Sequence, residues 1–241
     1  MIAVIRNFSI KHRTHFYLYI SKFLSQKQYW NTVGKIAPLD AILDNYFDEK
    51  EFFKTGKDTL AFFQKQKLIS KKSTTLHIGS GIGRIEKHLA KYVNECYGVD
   101  VSEVMIEKAN THKTAKNATF IATNGKTLPF KNDYFDFIYS VLVFQHMPKS
   151  MFLENIKEVK RTLKPKGKFF FQIPIDDAGE KKFPAESNPW LMRYYKRKEI
   201  LKIVNRFGFS IEKTFNGYEK DTKSPLQPNF AVLCSFKKKS N

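Results

Sequence analysis

The sequence is poor in cysteine, glycine and proline. Its two cysteines among 241 residues cannot form a disulfide framework or a four-cysteine zinc site. Its 11 glycines and nine prolines are too few for a fibrous or low-complexity protein. Hydrophobic residues make up 42% of the chain and include 23 Phe and 11 Tyr. The chain can therefore fill a hydrophobic core, which excludes wholesale disorder.

Long hydrophobic runs are also missing. The run FYLYI at residues 16–20 is far shorter than the roughly 20 residues that span a bilayer. The segment before Asp40 contains basic residues but no acidic one. That pattern is shared by transit peptides and surface-seeking helices, but we favour a lid helix that packs on the domain. We therefore expect a cytoplasmic protein with no membrane span.

Acidic residues are scarce relative to basic ones. The chain has 42 Lys and Arg against 23 Asp and Glu, a net charge of +19. The excess is spread along the chain and is mostly lysine, whereas readers of bases and phosphates rely on the bidentate arginine fork. Charge alone therefore allows a nucleic-acid partner without favouring one. An anionic small-molecule acceptor would suit the same charge.

Short apolar segments alternate with helically spaced ones. This alternation predicts an α/β protein with a Rossmann-like, doubly wound, mostly parallel seven-stranded sheet and helices on both faces. We expect residues 1–70 to form a helical N-terminal extension or lid and residues 71–241 to form the main domain. In such folds the ligand binds beyond the carboxyl ends of the strands. The predicted strands are residues 74–78, 96–99, 118–122, 135–143, 168–173, 209–215 and 230–236.

A glycine-rich turn follows the first predicted strand. Gly79, Gly81 and Gly83 would let the chain turn sharply and let a ligand approach the backbone. Asp100 ends the second strand, where a carboxylate can accept both hydroxyls of a ribose. The pattern predicts a cofactor that contains a nucleoside. Its G-x-G-x-G spacing differs from the G-x-G-x-x-G of dinucleotide sites.

Several segments, in this order, resemble the class I S-adenosylmethionine (SAM) dependent methyltransferases, above all their small-molecule branch. They are LHIGSGIGRIEKHLA at residues 76–90, YGVDVSEVMIEKA at 97–109, the segment 123–130, FDFIYSVLVFQHMP at 135–148 and the turn at 163–167. The resemblance implies that SAM is the cofactor. It further implies transfer of a methyl group to an unidentified small-molecule acceptor.

The resemblance also implies which residues bind SAM, and two of them depart from the family's pattern. Asn124 stands where an aspartate usually accepts from the adenine amino group. His77 stands where an aspartate or glutamate usually lies near the cofactor's ammonium group. A neutral imidazole can accept a hydrogen bond there but a protonated one would repel the ammonium, so weaker or pH-dependent binding is a hypothesis. The implied set is His77, Gly79, Ser80, Gly81, Gly83, Asp100, Val101, Met105, Asn124, Gly125, Ser140 and Gln145.

His146 is the candidate general base, because it follows the fourth predicted strand, where acceptor and methyl group meet in this architecture. The alternative is a structural imidazole bonded to a backbone carbonyl. Aromatic and arginine side chains could frame the acceptor, although core packing explains them equally well. No cluster has metal-ligand spacing, so we predict no metal. The candidate acceptor residues are Tyr29, Trp30, Trp190, Arg193 and Tyr194.

Two other functions stay open from the sequence. The basic charge is compatible with an RNA or tRNA methyltransferase, yet residues 140–143 (SVLV) lack the Asn/Asp-Pro-Pro-aromatic motif typical of base methylases that act on exocyclic amines. The departures at His77 and Asn124 are compatible with a domain that binds SAM without catalysis. Asp100 and the three glycines argue against that alternative.

Overall fold

Seven strands of the described residues form a single sheet. The structure is a computed structural model that describes residues 10–43, 47–180, 188–215 and 230–236. In chain order the strands are β1 (Thr74–Ile78), β2 (Glu95–Asp100), β3 (Ala118–Ala122), β4 (Phe135–Ser140), β5 (Leu163–Ile173), β6 (Phe209–Phe215) and β7 (Phe230–Phe236). Their order across the sheet is β3-β2-β1-β4-β5-β7-β6. The first five strands are parallel, and β7 is antiparallel to both β5 and β6.

Two strand boundaries differ from the sequence prediction by more than one residue. The apolar run of β4 continues to Val143, but the strand ends at Ser140. The chain turns there, because Leu142 adopts a φ of +63° and Ser140 donates its hydroxyl to the Ile78 carbonyl. Strand β5 begins at Leu163 rather than at residue 168, because Leu163 pairs with Phe135 ahead of an irregularity in the register.

Eight described α-helices surround the sheet. They are α1 (Ile10–Ser21), α2 (Gln26–Ile36), α3 (Pro38–Ile42), α4 (Glu49–Lys65), α5 (Glu86–Leu89), α6 (Glu103–His112), α7 (Lys149–Thr162) and α8 (Arg197–Arg206). Local side chains fix several of their starts by satisfying free backbone amides. Ser25 and Gln28 form a reciprocal capping box at α2, and Ser102 accepts from the Met105 amide at α6.

The helices cover both faces of the sheet. On one face, Phe152 and Ile156 of α7 and Ile200 of α8 belong to a fully buried apolar cluster. On the other face, Phe63 of α4 and Ala109 of α6 belong to a second cluster. Burying both faces is why β1 is buried along its whole length. The predicted doubly wound, Rossmann-like architecture is confirmed.

The N-terminal helices form a third apolar cluster over one end of the sheet. Tyr29 and Val33 of α2 and Phe52 of α4 pack there against Met105 of α6. The predicted helical N-terminal part is thus present. Its proposed separation from the main domain at residue 70 stays a prediction, and Phe63 already packs in the layer on the sheet. None of the helices in the described ranges is long and apolar enough to cross a membrane.

Candidate active site

A cavity of about 630 Å³ opens beyond the carboxyl ends of β1, β2 and β4. This is the edge at which parallel α/β sheets bind ligands, and the volume suits a nucleoside-sized molecule with a small partner. The glycine turn after β1 lines one end of the cavity. Residues that follow β4 and β5 line the other end, together with Trp30 of α2.

The glycine turn brings bare backbone to the cavity. Gly79 and Gly81 have φ values of +78° and +53°, which are strained for residues with a side chain. A Cβ atom on Gly79 would lie 2.4 Å from Cγ2 of Val143. The Gly79 amide donates to the Val99 carbonyl at 2.8 Å, which ties the turn to β2. Both positions therefore favour glycine, and the contact with Val143 makes Gly79 the more restrictive of the two.

Asp100 holds the glycine turn in place. Its Oδ2 accepts from the Gly81 amide at 2.9 Å, and its Oδ1 accepts from the Ser102 amide at 2.9 Å. Burial raises the pKa of Asp100, and these amide bonds act against that rise. Because each carboxylate oxygen has a second lone pair, both can still accept from a ligand. Asp100 has the acceptor capacity to hold a pair of hydroxyls.

His77 is part of a buried network behind the cavity wall. Its Nδ1 lies 2.7 Å from Oε1 of Glu86, and its ring stacks on Tyr139 with 4.4 Å between ring centres. The Tyr139 hydroxyl donates to the same Glu86 oxygen at 2.5 Å. Burial disfavours the charged form of Glu86, but the electrostatic interaction and hydrogen bond with His77, together with the Tyr139 bond, lower its pKa overall. The sequence does not single out Glu86, since a carboxylate at the start of a helix resembles an ordinary solvated residue.

His146 lies in the short 3₁₀ turn after β4. Its Nδ1 lies 2.9 Å from the Trp190 carbonyl oxygen, which can only accept, so Nδ1 carries the proton. Nε2 therefore holds a lone pair, and the Gln145 amide nitrogen is 3.3 Å from it. Burial, opposed by the Trp190 hydrogen bond and assisted by the charge of Arg193, lowers the pKa of His146 to about 4. The ring is neutral at physiological pH.

Aromatic rings and one amide frame His146. Trp30 meets the imidazole edge-on at 5.5 Å between ring centres, and Trp190 stacks near it at 6.4 Å. Gln26 donates its amide to the His146 carbonyl at 2.7 Å and accepts from the Trp30 indole at 3.1 Å. The sequence does not single out Gln26 either, because nothing in the pattern of α2 distinguishes one polar residue from several others. The frame suits a flat acceptor that packs between rings.

The cavity brings together most of the residues predicted to bind cofactor or acceptor. Those in its wall are Trp30, His77, Gly79, Ser80, Gly81, Asp100, Val101, Met105, Gly125, Gln145, His146, Trp190 and Tyr194. Their direct roles in binding stay predictions.

Five predicted residues lie outside the cavity wall. A Cβ on Gly83 would face the Phe120 ring at 2.9 Å, and Ser140 bonds to a backbone carbonyl of β1. Asn124 accepts from the amides of the turn that follows it. Tyr29 is fully buried against Trp30, and buried Arg193 donates to the carbonyl of residue 188. All five make structural contacts, and their predicted roles at the ligands stay predictions.

The lowered pKa of His146 makes a prediction about stability. An unfolded histidine titrates near pH 6.5. Between pH 6.5 and 4, His146 is therefore protonated in the unfolded chain but not in the folded one. Folding stability falls as pH drops through this window. From pH 7 to pH 5, the free energy of unfolding of the unmodified chain should fall about 2 kcal/mol more than that of His146→Asn. Urea unfolding of both proteins at the two pH values measures the difference, and equal losses would contradict the assignment.

The sequence is similar to those of methyltransferases. A family model described as a methyltransferase domain matches residues 76–171. The uncharacterised methyltransferase YcgJ of Bacillus subtilis is 33% identical over 136 residues, which cover 55% of this chain and 52% of YcgJ. The uncharacterised protein MJ1123 of Methanocaldococcus jannaschii is 33% identical over 175 residues, 69% of this chain and 76% of that protein. A ubiquinone biosynthesis O-methyltransferase of Coxiella burnetii is 28% identical over 155 residues and is covered over 59% of its length.

Solved structures share the fold. The crystal structure of magnesium protoporphyrin IX methyltransferase from Synechocystis, with bound S-adenosylhomocysteine (SAH), has a TM-score of 0.62 and 17% identity. The match covers 88% of this chain and 98% of that one. The crystal structure of YcgJ has a TM-score of 0.60 at 20% identity, over 76% of this chain and 99% of the other. At these identities the likeness concerns the fold alone.

The residues of the cavity fit SAM as the bound group. The bare glycine backbone and the carboxylate of Asp100 suit its ribose. The buried Nε2 of His77 and Oγ of Ser80 have no hydrogen-bond partner among the described residues, although both residues line the cavity. Buried polar atoms normally form hydrogen bonds, so a ligand or a water molecule is the expected partner of these two. A cofactor with polar groups at this end would do so.

Proposed function

The chain belongs to the class I SAM-dependent methyltransferases, and from that premise we propose that it methylates a hydroxyl group on a small, uncharged, largely apolar acceptor. SAM is the cofactor of this family. The proposed acceptor is flat enough to pack between Trp30 and Trp190. We propose that Asp100 and the glycine turn hold the cofactor and that His146 serves the acceptor.

The side chains of the cavity wall support an uncharged acceptor. The wall contains Arg84 and Asp100 as ionised groups, with His77 and His146, but none of the described lysines. The guanidinium of Arg84 already donates to the Thr55 hydroxyl at 2.9 Å. The basic excess of the chain therefore lies mostly outside the cavity, which disfavours the anionic acceptor that the net charge suggested. The remaining wall at the acceptor end is formed by apolar and aromatic side chains such as Ile175 and Met147.

The position of the proton on the His146 ring is our reason for proposing that the methylated group is a hydroxyl. Since Nδ1 donates to the Trp190 carbonyl, Nε2 can only accept. The Gln145 amide nitrogen lies 3.3 Å from it, and an acceptor molecule that takes the place of this amide must bring the hydrogen. A hydroxyl brings one hydrogen and a nucleophilic lone pair in the same group. The name of the Coxiella relative, an O-methyltransferase of ubiquinone biosynthesis, is compatible with this choice.

The protein has to supply only part of the chemistry of methyl transfer. SAM supplies an electrophilic sulfonium methyl group when it is bound. A base whose pKa is about 4 cannot remove the proton of a resting phenol or alcohol. As the oxygen forms its new bond to carbon, however, it becomes positively charged and its proton becomes strongly acidic. His146 then takes that proton on Nε2, while the tryptophan frame orients the acceptor and excludes water.

The test is a turnover assay against a matched acceptor panel. Phenols and catechols with apolar substituents are compared with their carboxylated analogues, with aromatic amines and with bulk tRNA, and SAH formation is measured by mass spectrometry. We expect methyl transfer to the uncharged hydroxyl compounds, with lower kcat/KM for the carboxylated ones. Preferred methylation of the carboxylates or of tRNA would overturn the proposed acceptor class, and binding of SAH without turnover of any acceptor would favour a non-catalytic domain.

Replacing His146 by Gln tests its role separately. General base catalysis contributes at least about a hundredfold to rate, so we expect kcat to fall about a hundredfold while the affinity for SAH is unchanged. Gln keeps a hydrogen-bond donor for the Trp190 carbonyl without a basic nitrogen. A loss of SAH affinity equal to the loss of rate would show a structural role instead.

A further inference from the structure

His77 carries a buried ring nitrogen that has no hydrogen-bond partner among the described residues. The residue is 4% exposed and lines the cavity wall. Its Nδ1 faces a carboxylate oxygen of Glu86 at 2.7 Å, and an ionised carboxylate can only accept, so Nδ1 carries the proton. In the neutral ring, Nε2 is therefore an acceptor, and among the described residues it has no partner. A ligand group that reaches this nitrogen from the cavity has to donate a hydrogen bond to satisfy it.

Glu86 places a negative charge directly behind the imidazole. Its side chain is fully buried and anchored through Oε1 to His77 and Tyr139, whereas Oε2 has no hydrogen-bond partner within the described residues. A hydrogen bond to the carboxylate polarises the imidazole and makes its far nitrogen a better acceptor. The ligand group that gains most from such a nitrogen is a cation with N–H donors.

The other charged side chains of the cavity wall are compatible with a cationic ligand group at His77. Arg84 is the cationic side chain in the same wall, and its Nη1 is directed to the Thr55 hydroxyl. Asp100 adds a second negative group on the neighbouring strand. The Tyr139 ring stacks on His77 and keeps the imidazole in one orientation. The three side chains of the network thus form a fixed unit in which Nε2 of His77 is an atom without a hydrogen-bond partner among the described residues.

We propose that His77 accepts a hydrogen bond from the α-ammonium group of SAM through Nε2, and that Glu86 supplies the negative charge from behind the ring. The carboxylate that the family usually carries at position 77 is thereby replaced by a two-residue relay, with the acid on α5 rather than on β1. Glu86 is a positioning residue, because it acts on the ligand only through His77. This inference rests on the proposed cofactor at this site.

The test distinguishes the contribution of the amino-acid end of the cofactor to binding from that of its nucleoside. Three ligands are titrated by calorimetry: SAH, its decarboxylated form, which keeps the amine, and methylthioadenosine, which lacks both the amine and the carboxylate. The contribution of the ammonium group is the affinity ratio of decarboxylated SAH to methylthioadenosine. We expect Glu86→Gln to lower this ratio about tenfold and to leave methylthioadenosine affinity within twofold.

Two further variants control for structure. Tyr139→Phe removes one hydrogen bond to Glu86 but keeps its charge, so the ratio should change less than twofold. The double variant His77→Asp/Glu86→Gln places a carboxylate directly at position 77 and should restore the ratio. If Glu86→Gln does not fold, His77→Asn carries the same expectation of a tenfold lower ratio.

Distinct results would overturn the relay. An equal loss for all three ligands would make Glu86 merely structural, and an unchanged ratio would exclude any contact with the ammonium. A loss confined to the step from decarboxylated SAH to SAH would place the cofactor's carboxylate, not its ammonium, at His77. If the unmodified protein binds none of the three ligands, the proposed function fails together with the relay, whereas the other results leave that function intact.

Discussion

Replacing Asp100 with alanine is expected to weaken the binding of SAH about a thousandfold. The carboxylate is buried, raised in pKa by that burial, and held by the Gly81 and Ser102 amides. Two hydrogen bonds from ribose hydroxyls to a charged oxygen contribute about 1.5–3 kcal/mol each. Their joint loss, about 4 kcal/mol, corresponds to three powers of ten in the dissociation constant. Calorimetric titration with SAH measures it.

The Asp100→Ala experiment has two controls, a second ligand that shares the ribose and a second variant that keeps the side-chain shape. Because methylthioadenosine keeps the ribose, its affinity should fall as far as that of SAH, in contrast to the result expected for Glu86→Gln. Asp100→Asn keeps one acceptor oxygen and the side-chain shape, so it should lose about thirtyfold. Thermal unfolding of each variant separates a local loss from a collapsed fold. Unchanged affinity in Asp100→Ala would place the nucleoside elsewhere in the cavity.

Gly79→Ala is expected to lower the free energy of unfolding by about 4 kcal/mol and to abolish measurable SAH binding. The positive φ of Gly79 costs about 1–2 kcal/mol for a residue with a Cβ. The new methyl group would also lie 2.4 and 2.5 Å from the two Cγ atoms of Val143, and such overpacking costs about 1–3 kcal/mol. Urea unfolding and calorimetry measure the two effects.

Gly81→Ala provides the matched comparison for Gly79. Its φ of +53° is also positive, but the added Cβ would meet only the terminal Cδ1 of Ile42, at 2.9 Å, and that atom can move. We expect a loss of about 1–2 kcal/mol there. Adding Val143→Ala to Gly79→Ala removes the clash and should recover about half of the lost stability. If Gly79→Ala proves no more damaging than Gly81→Ala, the close approach of the turn to Val143 is not the cause.

Much of the fold follows from local patterns in the sequence. Strands β1 and β3 begin and end as predicted, because short β-branched runs between turns leave few alternatives. The end of β4 does not follow from hydrophobicity, since the apolar run continues to Val143 past the turn at Leu142. That boundary depends on a backbone conformation and a hydroxyl bond to β1, which only the assembled sheet provides. The packing of Phe63 on the sheet is likewise a contact between distant segments.

The site was predictable where it is built from backbone turns and less so where it depends on side-chain partners. Gly79, Gly81 and Asp100 occupy the cavity wall because their positions follow directly from the ends of β1 and β2. Glu86 and Gln26 were missed, because one polar residue on a helix looks like any other until its neighbours are known. Asn124 shows the converse, since its side chain is used in its own turn and lies outside the wall.

The contacts of Phe63 constrain the order in which the chain can fold during its synthesis. Its ring packs against Phe137 and Tyr139 of β4 and Phe170 of β5, with ring centres 5.1, 4.9 and 5.8 Å apart. Helix α4 leaves the ribosome long before these strands exist, and closing such long loops slows folding. Phe63 therefore lacks these ring contacts until β4 and β5 have been synthesised. Chaperone demand on the nascent chain should be greatest in that interval.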